Sequence, residues 1–120
     1  MLSNMAKIYC LIVFVIGINL QAQNVIPLDS VIQYEGQTVT ICAKVQGTFK
    51  TKNNTIMLNF GKPYPEQTFT VVIFAQNLTN FSYAPETFLK NKEICVTGKV
   101  KLYKGTPEII VKKEEEIQLK

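Results

Sequence analysis

Beyond residue 23 the apolar positions fall in short alternating runs. Thr38 to Val45 places Val39, Ile41, Ala43 and Val45 on one side and Thr38, Thr40, Cys42 and Lys44 on the other, the period of a strand with one buried face. Ile56 to Phe60 predicts a second strand. Thr68 to Phe74 predicts a third, burying Phe69, Val71 and Ile73. Ile94 to Tyr103 predicts a fourth, with Ile94, Val96, Gly98 and Val100 inward, and Glu108 to Val111 a fifth. The intervals carry turn chemistry. Asp29-Ser30 is placed to cap a helical turn through Val31, Ile32 and Tyr34 that Gly36 ends. Gly47 to Asn54 reads as a polar, lysine-containing loop, Gly61 to Pro65 as a rigid turn, and Lys104 to Pro107 as a tight one. Gln76 to Asn91 breaks the alternation, and Pro85 suits the first position of a helical turn carrying Phe88 and Leu89. Lys112 to Lys120 reads as a charged tail.

Five strands, a break holding a short helical turn between the third and fourth, and a hairpin joining the last two predict an all-β, five-stranded Greek-key barrel of the OB-fold type. A small β-sandwich is the alternative, since periodicity alone admits both.

The first 23 residues follow a different pattern. Met1 to Lys7 is short with one positive charge. Ile8 to Leu20 is a thirteen-residue run, apolar apart from Asn19, and Gln21-Ala22-Gln23 sets a small residue at signal-peptidase distance. That order predicts a cleaved secretory signal over 1–23, a single OB-fold domain over 24–120, and an exported location, periplasmic or extracellular. A membrane anchor is the alternative, but the run is short of the roughly 20 residues that span a bilayer. Cys10 follows Lys7-Ile8-Tyr9 inside the apolar run, not a small-residue box at its end, which argues against a lipoprotein.

Signal removal leaves Cys42 and Cys95, and two cysteines in an exported chain predict one disulfide. Both lie on the polar phase of strands that are antiparallel neighbours in an OB-fold. Directly opposed positions there stand about 4.5–5.5 Å apart at Cα, within disulfide reach. Two unpaired thiols are the alternative.

The full chain has 120 residues and a formal charge of +4, with thirteen lysines and neither arginine, histidine nor tryptophan. Without histidine there is no Ser–His–Asp or Cys–His relay and no imidazole base or ligand. Without arginine there is no bidentate clamp on guanine, carboxylate or phosphate. Glu35, Glu66, Glu86, Glu93 and Glu108 are dispersed, and Glu114 to Glu116 read as a solvated tail, so no metal-nuclease constellation emerges. The expectation is a protein that binds rather than catalyses, with no cofactor and no metal site.

Three stretches are informative together: Val39-Thr40-Ile41-Cys42-Ala43-Lys44-Val45, then Leu58 to Ile73 (LNFGKPYPEQTFTVVI), then Glu93 to Val111 (EICVTGKVKLYKGTPEIIV). In combination they resemble small exported bacterial OB-fold domains usually described as nucleic-acid-binding, over roughly residues 30 to 118. Ala43 stands where that group usually has glycine. The resemblance implies the barrel, the disulfide and, more loosely, nucleic-acid binding, because one fold hosts many ligands.

An OB-fold binds across its second and third strands, between the loops joining strands 1–2 and 4–5. The first loop holds Phe49, Lys50 and Lys52, and the second is bordered by Lys101, Tyr103 and Lys104. Lysines along a backbone with aromatics for stacking is how single-stranded DNA or RNA is held without base readout. Those six residues are the candidate nucleic-acid site, and no sequence specificity is expected from them. Lysines on loops and edges also keep small β-proteins soluble and unpaired. An adaptor for an envelope or secreted protein, or for a small ligand, is the competing reading.

Overall fold

The computed structural model describes residues 24–120, so the signal over 1–23 and Cys10 lie outside the described residues. Among the described residues there are seven strands: β1 (Val25–Ile26), β2 (Thr38–Lys50), β3 (Ile56–Phe60), β4 (Phe69–Ile73), β5 (Glu93–Tyr103), β6 (Thr106–Ile110) and β7 (Ile117–Leu119). Five of them close on one another in the order β2-β3-β4-β6-β5 and back to β2. All contacts in this ring are antiparallel except β4–β6, which is parallel. This is the Greek-key barrel of an OB-fold. The short β1 and β7 extend it at the outer edges of β2 and β5.

The inward phases are those the alternation predicts. Val39, Ile41, Val45, Phe69, Val71, Ile73, Ile94, Val96 and Val100 are all buried, and Phe60 stacks at 5.3 Å on Phe69 in the centre. Gly98 falls on the inward phase of β5 because no side chain fits there. A Cβ at that position would stand 2.5 Å from Ile109 Cγ2 of β6. One end of the barrel is closed by helix α1 (Pro85–Phe88), with Pro85 at its start as predicted and Leu89 fully buried beyond it. The Cys42–Cys95 disulfide is formed between directly opposed residues of β2 and β5.

Four expectations need correction. The turn after β1 is a 3-10 helix over Leu28–Tyr34 that begins before Asp29 and has no side-chain cap. A second 3-10 helix, Ala75–Asn80, precedes α1 in the irregular segment. Gly47 to Lys50 belongs to β2 and not to a loop, because Met57 and Ile56 offer paired backbone partners to Phe49 and Lys50. The C-terminal segment is not a free tail. Glu116 Oε1 accepts from the Lys112 and Lys113 amides, and Glu114 Oε1 accepts from the Ser82 amide and hydroxyl. Those bonds fold Glu114–Glu116 into a 3-10 turn and deliver Ile117 to the edge of β5.

Candidate functional site

A cleft of about 690 Å³ runs across the outer face of β3, β4 and β6. A single irregularity in β2 shapes one wall. The register between Val45 and Gly47 shifts by one residue against β3, and such a bulge turns every later side chain to the opposite face. Extending the alternation of Val39 to Val45 would put Phe49 inside the barrel. After the bulge Phe49 is outward, opposite Met57, and both line the cleft.

The facing wall is the β5–β6 hairpin. Lys104 and Gly105 form a two-residue turn with both φ values positive, 52° and 85°, the backbone that suits two antiparallel strands. It presents Tyr103 and Lys104 to the cleft, and Lys104 Nζ sits 5.3 Å from the Tyr103 ring centre. The third wall is the turn between β3 and β4, where Pro63, Tyr64 and Pro65 all line the cleft. Phe49, Tyr64 and Tyr103 are 57%, 69% and 53% exposed, so none of them is used to fill the core.

The floor is polar and buried. Asn59, Thr70 and Glu108 are register partners across three adjacent strands, forming one row on the outer face. Gln67 Nε2 donates to Thr70 Oγ1 at 3.1 Å, and Thr70 Oγ1 donates to Asn59 Oδ1 at 3.1 Å. The relay ends at Gln67 Oε1, which is buried and accepts no hydrogen bond. Burial pushes the Glu108 carboxyl above its ordinary pKa, while the charge of Lys101, its β5 partner, pulls the other way.

The six predicted residues thus separate. Phe49, Tyr103 and Lys104 come together around the cleft. Lys50, one residue past Phe49, is on the other face and pairs with Glu86 of α1 at 3.6 Å. Lys52 sits in the turn between β2 and β3, outside the lining, and Lys101 borders the floor through Glu108. Sequence reasoning missed Tyr64 and the floor residues Asn59, Gln67, Thr70 and Glu108. The polar residues on the outward phase of the second and third strands were the available signal. Among the described residues no three His, Cys, Asp or Glu side chains group as a metal site.

No family model and no curated protein matches the chain. Among solved structures it is similar to asparaginyl-tRNA synthetase from Pyrococcus horikoshii, at a TM-score of 0.55 and 15% identity over 78% of this chain. Aspartyl-tRNA synthetase from Entamoeba histolytica gives 0.52 and 17% over 83%. In both cases the match spans only 22% of the synthetase chain. An OBody bound to hen egg-white lysozyme matches over 98% of its length and 85% of this chain, at a TM-score of 0.55 and 12% identity. At these identities the likeness is one of fold, and the fold is the OB barrel.

Proposed function

We propose that this chain is an exported, non-catalytic OB-fold binding module whose cleft holds a short stretch of single-stranded DNA or RNA. The observation that carries this reading is three exposed aromatic rings, Phe49, Tyr64 and Tyr103, placed around one cleft on the face where OB-folds take ligands. Each base has a π-face, and stacking on an aromatic side chain is worth about 1–3 kcal/mol per base. Two of the similar solved structures are tRNA synthetases, which agrees with the reading. The Cys42–Cys95 bond fits an oxidising compartment, periplasmic or extracellular.

The charge is less concentrated than four cleft lysines would make it, since Lys50 is turned to Glu86 and, among the described residues, Lys104 is the lysine that lines the cleft. Binding then rests on stacking, with one or two phosphate contacts from Lys104 and Lys101. The test is fluorescence anisotropy with a labelled ten-nucleotide oligothymidine across a salt series. The slope of log K against log salt is expected near −0.7 to −1.4, from about −0.7 per contact on a single strand. Phe49→Ala and Tyr103→Ala should each weaken binding while the melting temperature holds. Absence of binding at low salt overturns the reading. A cleft more aromatic than basic also favours the adaptor reading, and the lysozyme-bound OBody shows a protein partner for a chain of this fold. Saturable protein binding lost in the same two variants, without oligonucleotide binding, would establish it.

A further inference from the structure

The polar floor of the cleft has an uneven inventory of hydrogen-bonding groups. Gln67 donates one of its two amide N–H groups to Thr70, and Thr70 donates its hydroxyl proton to Asn59. Two acceptors stand at this end: Gln67 Oε1, buried without a donor, and the Glu108 carboxylate, the register partner of Thr70 on β6. Both therefore flank Thr70. At the other end Asn59 Oδ1 is occupied, and its Nδ2 donates to no group among the described residues. A buried acceptor without a donor loses its hydration with nothing in exchange, so a donor brought to it is favoured. A free acceptor and a carboxylate held together beneath three rings call for a planar ligand whose edge carries adjacent donors.

Among the bases one edge has that order. The Watson–Crick edge of guanine presents O6 as an acceptor, then N1–H and N2–H₂ as adjacent donors. On the same edge adenine presents one donor beside one acceptor, cytosine one donor beside two acceptors, and thymine or uracil one donor between two acceptors. We propose that the cleft selects guanine at one stacked position, with Glu108 and Gln67 Oε1 accepting from N1–H and N2–H₂ and Asn59 Nδ2 donating to O6. This inference rests on the nucleic-acid reading above and adds base identity to it. The selection uses a carboxylate and amides, so it needs no arginine.

The experiment compares labelled ten-nucleotide oligothymidine with the same strand carrying one central guanine, inosine or adenine, by anisotropy at fixed salt. Guanine is expected to bind roughly tenfold tighter than the all-thymine strand, within the range one good bidentate base contact supplies. Inosine, which lacks the N2 amino group, should lose most of that gain in the unmodified protein. Glu108→Gln should bring the guanine-to-thymine ratio close to one, read as a ratio within the variant, with the melting temperature in place as the check on folding. Gln67→Met should lower the ratio in the same direction. Equal affinity for all four strands, with oligothymidine still bound, overturns the base selection and leaves the nucleic-acid reading standing. Failure of every strand to bind overturns both.

Discussion

Two polar rows on the outside of this barrel are built alike and end differently. On the β2–β5 side, Thr40 faces Thr97 and Cys42 faces Cys95. The two threonine hydroxyls share a hydrogen bond of 2.7 Å and the two sulfurs a covalent bond. Each residue there meets its partner within the row. On the β3–β4–β6 side, Asn59, Thr70 and Glu108 also face one another across strands, yet their hydrogen-bond chain ends at Gln67 Oε1 with no donor. Both rows lie on the outer surface of one sheet system and both hold buried threonine. The difference teaches that polarity at a buried outward position says little by itself. The rows are told apart by what their members bond: the β2–β5 pairs bond each other, and the β3–β4–β6 chain stops one donor short.

The largest effect that should separate the two rows comes from the closed one. Replacing both Cys42 and Cys95 by alanine removes a link across 53 residues of sequence, for an expected loss of about 4 kcal/mol by loop entropy. Chemical denaturation of oxidised and double-variant protein checks it, and ligand affinity below the transition should be unchanged. Next is Thr70→Val, which strands the Gln67 amide and Asn59 Oδ1 together. That should cost about 1–3 kcal/mol by the same denaturation and also damage binding, whereas Thr40→Val should affect stability alone. Tyr103→Ala and Phe49→Ala invert this: stability should move by less than about 0.5 kcal/mol, and affinity should fall by about 1–3 kcal/mol per lost stack in the titration with oligonucleotide. If these two variants unfold the protein instead, the contrast between the rows is wrong.

A smaller effect concerns the carboxyls. Burial raises the Glu108 pKa, so its ionised form opposes folding once pH exceeds the unfolded value. Glu108→Gln should therefore be neutral or slightly stabilising at neutral pH in a thermal melt. Glu114 is opposite in sign. The hydrogen bonds from the Ser82 amide and hydroxyl hold its pKa below the ordinary carboxylate range. Its contribution is present above the unfolded pKa and lost as pH falls through the folded one. Glu114→Gln should flatten that acid limb of a melting-temperature profile, and this is the smallest change expected.

The strands were legible because their inward positions are apolar on a strict period of two, from Val39 to Val45 and from Ile94 to Val100. The disulfide was legible because Cys42 and Cys95 share the outward phase of strands that this topology makes neighbours. Phe49 lines the cleft from a strand where the sequence predicts a loop, because a one-residue bulge leaves no mark on composition. The same bulge explains Lys50, which alternation beyond the bulge carries away from Phe49 to Glu86. The floor stayed hidden because Asn59, Thr70 and Glu108 are far apart in sequence and become a row only when β4 pairs in parallel with β6. The ordered C-terminus was hidden for a related reason, since its anchor is Ser82, 32 residues upstream of Glu114.

The Cys42–Cys95 bond has a consequence for survival among proteases. The segment it encloses contains β3, β4, α1 and the exposed turn that holds Lys52. A single cut after Lys52 would leave two pieces still joined through sulfur, with the β2–β5 seam covalently intact across the nick. Such a protein would run as one species on a gel without reductant and as two with it. A molecule nicked once in that turn keeps both walls of its cleft on the same particle.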